Sequence, residues 1–262
     1  MVVGIDTFRE KFKAYVDCYT IIGGTACDII MSENDTAFRA TKDIDMILIL
    51  EDKTQEFAEA FWAYIKDAGY KCGWKNSDKM HFYRFTEPKE GYPSMIELFS
   101  KRPGYQLELE TGIVPIHIAE DTSSLSAILL NDDFYNFMLQ GRKIINDICV
   151  LGAEYLIPFK MYAWLDLKNK KQNGEHVNEK DLKKHKYDVF RLLQIVQNDS
   201  KIRVEGLVKE SIVAFLEEML DEILPLAQLG LPFEKEEAIT ILHELYSCLL
   251  YTSPSPRDRT RS

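Results

Sequence analysis

Two aspartates that lie two positions apart, Asp43 and Asp45, have the spacing in this chain that most clearly suggests chemistry. They open an apolar run that continues to Leu50. In a β-strand, side chains two positions apart project from the same face, so both carboxylates project together while Ile44 points into the core. Two such charges repel each other and coexist most readily around a divalent cation. The spacing therefore predicts a site at Asp43 and Asp45 for a divalent cation such as Mg²⁺, and the alternative is a strand end whose acids face solvent.

A pair of glycines precedes these acids. Gly23 and Gly24 end the apolar run that begins at Tyr19, and a short segment of helical character follows from Thr25 to Met31. Glycines expose bare backbone, and the first amide groups of a helix bind phosphate well. The simplest chemistry that combines a phosphate-binding turn with a metal-binding acid pair is metal-assisted phosphoryl or nucleotidyl transfer.

A Gly-Gly turn followed by Asp-apolar-Asp resembles the nucleotidyltransferase superfamily of DNA polymerase beta type. The strings from Gly23 to Ala26 (Gly-Gly-Thr-Ala) and from Arg39 to Met46 (Arg-Ala-Thr-Lys-Asp-Ile-Asp-Met) are more specifically similar to the AbiEii/AbiGii toxin family of type IV toxin–antitoxin systems. The linker between turn and acid pair is longer here than in compact superfamily members. The resemblance implies that Thr25 and Arg39 help the glycines to bind nucleotide. Arg39 either contacts phosphate or pairs with Asp43.

The resemblance returns between residues 154 and 193, is weak between 52 and 140, and is absent after about 200. The family carries a lysine that contacts nucleotide phosphates, and Lys160 lies at the matching place among apolar neighbours. It also carries an aspartate in a later helix, where this chain has Asp188. The resemblance implies that Asp188 acts as general base or orients Lys160. The alternative for Lys160 is that its stem is packed and its ammonium reaches solvent. The alternative for Asp188 is an acid exposed on the surface of a helix.

A third acid lies inside the apolar run from Met95 to Phe99. Burial of a carboxylate in such a strand costs free energy unless the carboxylate has a partner or reaches an edge of the sheet that is in contact with water. The superfamily usually adds a third carboxylate on a neighbouring strand, so the resemblance implies that Glu97 is a metal ligand or base. Glu108 on the next predicted strand competes for that role, and an outward-facing Glu97 on a half-exposed strand is the plain alternative.

The hydrophobic periodicity predicts an α/β fold, a nucleotidyltransferase-type mixed sheet with flanking helices, followed by a helical domain. The predicted strands span 19–22, 43–50, 80–86, 94–100 and a hairpin of 104–110 with 113–118, and a further strand signal spans 143–151. The predicted helices span 7–17, 25–31, 54 to about 69, 154–171, 179–197, 204–223 and 234–246. We expect an α/β core at 1–120, a connecting segment at 121–152 and a helical domain at 153–247.

The last residues, 248–262, are not expected to belong to the natural protein. The string from Cys248 to Asp258 (Cys-Leu-Leu-Tyr-Thr-Ser-Pro-Ser-Pro-Arg-Asp) resembles one reading frame of a transposase sequencing adapter. The alternative is a natural disordered tail rich in Ser, Pro and Arg. We therefore exclude this segment from the fold prediction and expect the native chain to end near Ser247.

The chain is acidic, with a formal charge of −10 that becomes −12 without the three arginines and one aspartate of the tail. An acidic protein does not attract nucleic acid over its whole surface. The segment from Lys168 to Arg191 nevertheless has eight basic and four acidic residues, and this basic patch either grips RNA or forms a solvated face with ion pairs. His176 and His185 are predicted to lie at the surface.

Four cysteines outside the tail have no metal-ligand spacing, so we expect buried, reduced thiols. No secretory signal and no membrane span are predicted, and a cytoplasmic location is expected. The complete prediction is a Mg²⁺-dependent nucleotidyltransferase that moves a nucleotide from NTP to an acceptor. The resemblance implies a toxin that acts on the tRNA 3′ end and has an antitoxin partner. The alternatives are a small-molecule nucleotidyltransferase of the aminoglycoside-modifying kind and an inactive nucleotide-binding module.

Overall fold

The fold is that of a computed structural model, which describes residues 2–49, 54–77, 80–100, 116–117, 131–197 and 200–246. Within these ranges a mixed β-sheet is followed by a group of helices. The predicted residue Glu108, the predicted strand 104–110 and the tail 248–262 lie outside the described residues.

The elements are numbered in chain order. The strands are β1 (Tyr19–Ile22), β2 (Asp43–Leu48), β3 (Lys71–Ser77), β4 (Met80–Thr86), β5 (Met95–Ser100), β6 (Ile116–His117), β7 (Arg142–Ile145) and β8 (Ile148–Leu151). The helices are α1 (Ile5–Phe12), α2 (Gly23–Glu33), α3 (Thr54–Ala68), α4 (Asp132–Gln140), α5 (Ala153–Gln172), α6 (Glu179–Leu193), α7 (Gly206–Asp221) and α8 (Lys235–Leu245). Short 3₁₀ turns follow α1 and precede α8.

The described strands form one sheet in the order β6-β3-β4-β5-β2-β1-β8-β7. The acid-bearing strand β2 lies in its interior, antiparallel to β1 and parallel to β5. The register pairs Asp45 with Ile22 on one side and with Glu97 on the other. The sheet therefore places the acid pair beside the residue that precedes the glycine turn and beside the third predicted acid.

An aromatic cluster holds α1 and α3 against this sheet. Phe12 has no exposed surface, and its ring lies within 6.4 Å of the rings of Tyr19, Phe57 and Phe61, measured between centroids. Apolar burial of this kind contributes about 25 cal/mol for each Å² removed from water. The four cysteines at positions 18, 27, 72 and 149 are buried thiols, as the sequence predicts.

The longest helix of the second half, α5, continues through Pro158. A proline inside a helix has no N–H to donate to the carbonyl four residues earlier, which here belongs to Glu154. The hydroxyl of Tyr246 donates to that Glu154 carbonyl at 2.6 Å. The end of α8 thus satisfies the group that Pro158 leaves without its helical partner, and this bond ties α8 to α5.

The hairpin of β7 and β8 extends the sheet from within the predicted connecting segment. Val150 on β8 pairs with Ile21 on β1, in parallel, so this hairpin lies beside the strand that leads into the glycine turn. Asn146 and Asp147 form its two-residue turn with φ angles of 47° and 60°. Both angles lie in the left-handed region that the commonest hairpin turns require.

The predicted fold class, an α/β mixed sheet with flanking helices followed by further helices, is confirmed. Several local predictions differ from the structure: the strand signal at 143–151 corresponds to the hairpin of β7 and β8, and helix α4 was not predicted. The first helix ends at Phe12 rather than near Asp17, because a 3₁₀ turn takes over from Lys13. Strand β3 was not predicted, because its residues Lys71 to Ser77 include glycine, asparagine and lysine, which are uncommon in strands. Among the described residues, no helix combines the length and the apolar composition needed to cross a bilayer.

Candidate active site

The glycine turn lies directly against the acid pair. Gly23 begins α2 with a φ of +69°, a conformation that glycine adopts without steric cost. A Cβ atom at this position would come within 1.9 Å of Oδ2 of Asp45. A Cβ atom on Gly24 would lie 2.7 Å from Oγ1 of Thr41. Both glycines therefore allow β2 and the loop before it to approach the bare backbone of the turn.

The start of α2 has the properties of an anion site. The residue before the helix, Ile22, provides no side-chain cap, so its side chain satisfies none of the first amide groups of this 11-residue helix. Such amides and the helix dipole favour negative charge. The hydroxyl of Thr25 donates to the backbone carbonyl of Asp43 at 2.5 Å. Thr25, predicted to bind nucleotide, thus uses its hydroxyl to hold the turn against β2.

The two aspartates of β2 project on one face, as their spacing predicts. Both side chains are partly exposed, whereas Ile44 between them is fully buried. Burial raises the pKa of Asp45 to about 8, and the adjacent Glu97, which shares a hydrogen bond with it, adds to the rise. Burial also raises the pKa of Asp43, and Lys184 is the strongest of the cations that oppose this rise.

Glu97 lies on β5, in register with Asp45 on one side and with Arg84 of β4 on the other. It is buried, and Nε of Arg84 donates to its Oε1 at 2.7 Å. The strand acid therefore does not face solvent but has the partner that burial requires. Asp45, Glu97 and Arg84 form a row across three neighbouring strands.

The acid pair fits a hard cation that arrives with phosphates. In the described part of the chain, no group of three His, Cys, Asp or Glu side chains is arranged to hold a metal ion. Mg²⁺, however, is usually held by one or two carboxylates together with substrate phosphates and water. Asp45 and Glu97 lie side by side in register on neighbouring strands, and two like charges placed so close favour a cation between them. Asp43 and Asp45 are thus suited to Mg²⁺, and Glu97 lies beside them.

A second cluster surrounds the fully buried carboxylate of Asp188 on α6. Arg39 donates to both of its oxygens, from Nε at 3.1 Å and from Nη2 at 2.8 Å. Nζ of Lys160 lies 3.2 Å from one oxygen, and Nη1 of Arg191 lies 3.3 Å from the other. Burial alone would raise the pKa of Asp188, but Lys160 and Arg39 outweigh it and lower that pKa to about 2.

These contacts bear on the two roles predicted for Asp188. A carboxylate with a pKa near 2 and three cationic neighbours is a poor proton acceptor at neutral pH. The geometry favours the second role, in which Asp188 orients Lys160 and Arg39. Lys160 is only 3% exposed, so its ammonium serves the buried ion pair. Arg39, whose side chain is 25% exposed, pairs with Asp188 rather than with Asp43.

Arg39 joins this cluster to the glycine turn. Its Nη2 atom lies 3.5 Å from the position that a Cβ atom on Gly24 would take. A single guanidinium therefore contacts Asp188 of α6 and borders the turn at the start of α2. The structure brings the glycine turn, the acid pair with Glu97, and the Arg39–Lys160–Asp188 cluster into one neighbourhood.

Sequence reasoning overlooked two residues on α6. Lys184 was predicted only as a member of the basic patch, yet it lowers the pKa of both Asp43 and Asp45. His185 was predicted to lie at the surface, but the structure leaves it only partly exposed. It is partly buried, its Nδ1 atom is fully buried without a partner among the described residues, and burial lowers its pKa well below the usual value. The sequence did contain a signal for Lys184, because residues four apart share a helix face and Lys184 lies four residues before Asp188.

The basic patch is largely neutralised by acids, several of which lie outside its own segment. Six of its cations pair with carboxylates: Lys168 with Glu218, Lys170 with Asp166, Lys171 with Glu179, Lys184 with Asp181, Lys186 with Glu222 and Arg191 with Asp188. Among the described residues, Lys180 and Lys183 have no such partner. The count of charges along the segment overstates the positive field of the folded patch, because folding adds acids from α5 and α7.

No protein-family model matches this chain, and no curated protein matches it. Some solved structures are similar to it. An antigenic nucleotidyltransferase-like protein from Paracoccidioides brasiliensis is 12% identical, with a TM-score of 0.44 over 94% of this chain and 92% of that chain. The Megavirus polyadenylate synthase is 10% identical, with a TM-score of 0.40 over 83% and 37%. The antibiotic-resistance factor ANT(2'')-Ia is 14% identical, with a TM-score of 0.39 over 84% and 95%. Likeness at this level assigns no activity or acceptor to this chain.

Replacement of Gly23 by alanine is expected to cost more stability than the same change at another glycine of positive φ. Gly174 has a φ of +82° and nothing within 4 Å of its Cβ position, so Gly174→Ala measures backbone strain alone, about 1 kcal/mol. Gly23→Ala adds the clash with Asp45 and is expected to cost about 1–2 kcal/mol more. Urea unfolding of both variants measures the difference. Equal free energies of unfolding would contradict the close approach of Asp45.

Removal of the buried carboxylate is expected to destabilise the chain strongly. Asp188→Asn leaves Lys160, Arg39 and Arg191 without their counter-charge and is expected to cost about 3–5 kcal/mol. The control is Asp181→Asn on the same helix, whose pair with Lys184 spans 3.9 Å and is half exposed, with an expected cost below about 0.5 kcal/mol. Chemical denaturation compares the two, and similar costs would contradict a structural role for Asp188.

The same carboxylate gives a pH signature. The pKa of Asp188 lies near 2 in the folded chain, below its usual 3.8, so the folded state prefers the ionised form. The contribution of this carboxylate to the free energy of unfolding is complete above about pH 4 and is lost as the pH falls towards 2. Between pH 2 and pH 4, the free energy of unfolding is therefore expected to change less for Asp188→Asn than for Asp181→Asn.

Proposed function

We propose that this chain is a metal-dependent nucleotidyltransferase. It transfers a nucleotide from an NTP to an acceptor oxygen, which attacks the α-phosphorus, and it releases pyrophosphate. The observation that supports this best is the close approach of Asp45 to Gly23, where a Cβ atom would come within 1.9 Å of the carboxylate. A helix start suited to phosphate thus lies beside an acid pair suited to a cation, and nucleotidyl transfer requires both.

Each part of the site then has a task. Asp43 and Asp45 would hold Mg²⁺, which when bound neutralises phosphate charge and lowers the pKa of the acceptor oxygen. The amide groups after Gly23 hold phosphate oxygens, and Arg39 adds positive charge at the edge of the turn. Asp188 keeps Arg39 in place through two hydrogen bonds. Arg84 donates a hydrogen bond to Glu97 and offsets its negative charge.

The acceptor that we propose is RNA, specifically the tRNA 3′ end, and the proposed partner is a separately encoded antitoxin. This part rests on the resemblance of residues 23–46 and 154–193 to the AbiEii/AbiGii family. Lys180 and Lys183 are exposed cations on α6 that suit an RNA backbone. The rival is a small cationic acceptor of the aminoglycoside kind, which the charge of −12 outside the tail and the neutralised basic patch favour.

Loss of one site carboxylate is expected to abolish transfer without unfolding the chain. Asp45→Asn resembles the protonated aspartate that hydrogen-bonds Glu97, so the fold tolerates it, but it cannot bind Mg²⁺ as a carboxylate does. We expect NTP incorporation to fall by about a thousandfold or more. The control is Asp35→Asn, at an exposed position of the loop before β2, with wild-type incorporation.

Incorporation is measured with labelled NTP, with and without EDTA, alongside circular dichroism of each variant. A folded Asp45→Asn protein that retains incorporation would contradict the metal role. A wild-type chain that binds NTP with Mg²⁺ but transfers nothing to any acceptor would instead support the third reading, an inactive nucleotide-binding module.

The acceptor is identified by parallel reactions. We expect the wild-type chain to label total tRNA at its 3′ end when it is incubated with each of the four labelled NTPs and Mg²⁺. The matched reactions contain an aminoglycoside in place of tRNA, or tRNA whose 3′ hydroxyl has been oxidised with periodate. Label on the aminoglycoside alone would replace RNA by the small-molecule acceptor. Equal label on intact and oxidised tRNA would contradict attack by the 3′ end.

A further inference from the structure

The fold places one further cation between the two clusters of the site. Lys184 lies one helical turn before Asp188 on α6, and residues four apart share a helix face. That face contacts Arg39, which borders the glycine turn. Lys184 is therefore on the side of α6 that faces the start of α2 and the acid pair.

The contacts of Lys184 differ from those of its cationic neighbours. Arg39, Lys160 and Arg191 each contact a carboxylate oxygen of Asp188 within 3.3 Å. The ion-pair partner of Lys184 among the described residues is Asp181, at 3.9 Å, where the attraction is weak. Its side chain is 38% exposed, so it is not enclosed by the protein as that of Lys160 is.

The electrostatic surroundings of Lys184 favour an added anion. Burial is the main influence that lowers its pKa, and the nearby charges of Lys160 and Arg39 lower it further. Lys184 acts in turn on both Asp43 and Asp45. An anion bound between these cations would relieve their mutual repulsion, and it would also lie beside the acid pair that is suited to Mg²⁺.

We propose that the ammonium group of Lys184 binds a phosphate oxygen of the NTP triphosphate. This inference rests on the proposed function, because the glycine turn and the acid pair must bind the same nucleotide. The triphosphate is the anion that reaches all three groups: amides at the start of α2, Mg²⁺ on Asp43 and Asp45, and the cation on α6. Lys160 is too deeply buried for this contact, so Lys184 supplies the positive charge that the resemblance assigns to Lys160.

The test measures NTP binding without any acceptor. Lys184→Gln removes the charge, and Lys184→Arg retains it. The matched control is Lys66→Gln, which removes an exposed lysine on α3, outside the candidate site. Each protein is titrated by calorimetry with ATP, CTP, GTP and UTP in Mg²⁺, and with inorganic tripolyphosphate in Mg²⁺. Thermal unfolding verifies that each variant is folded.

We expect Lys184→Gln to raise Kd for the best NTP and for tripolyphosphate by about tenfold. Lys184→Arg is expected to stay within about threefold of wild type, and Lys66→Gln to match wild type. Equal Kd values for Lys184→Gln and Lys66→Gln overturn the inference, even if wild type transfers nucleotides. An effect of Lys184→Gln confined to the KM for an RNA acceptor also overturns it. A wild-type chain that binds no NTP contradicts the proposed function itself.

Discussion

A buried carboxylate with three cationic neighbours connects the two halves of this chain. Asp188 has no exposed surface, and an uncompensated charge at such a place costs several kcal/mol. Arg39 comes from the loop before β2, Lys160 from α5 and Arg191 from α6 itself. Because the desolvated charge requires all of these contacts, the loop before β2 and two helices of the second half must meet at one point.

The position of the candidate site follows from that meeting. Once Arg39 is fixed to Asp188, its guanidinium borders Gly24, and α6 faces the glycine turn. The sheet independently aligns Asp45 with Glu97 and with the residue before Gly23. Two separate constraints, a buried ion cluster and a strand register, thus bring cations and carboxylates to opposite sides of the same turn. A nucleotide bound with Mg²⁺ carries both signs of charge and matches this arrangement.

The charges of the site behave differently in the two clusters. Asp188 is held ionised by cations that outweigh its burial, whereas burial and the like charge of Glu97 both raise the pKa of Asp45. We assign Asp188 a structural task and Asp45 the proposed task of holding a metal ion. Residue type alone does not separate these tasks, since both are aspartates among apolar neighbours.

The basic patch shows how a linear count of charges differs from a folded surface. Its sequence has twice as many basic as acidic residues, but Glu218 and Glu222 from α7 and its end pair with Lys168 and Lys186. Ion pairs between distant segments cannot be read from one stretch of sequence. The same limit explains His185, whose hydrophilic neighbours suggest exposure although its Nδ1 atom is buried.

The sequence by itself determined the strands that bear the glycine turn and the acid pair, the common face of Asp43 and Asp45, and the four long helices of the second half. These features follow from local periodicity, whose repeat is set by backbone geometry. Only the tertiary structure decided that Glu97 lies beside Asp45, that Asp188 is buried with Arg39 and Lys160, and that Lys184 faces the acid pair. Those relations depend on strand register and helix packing between residues that are far apart in the chain, for which local periodicity carries no signal.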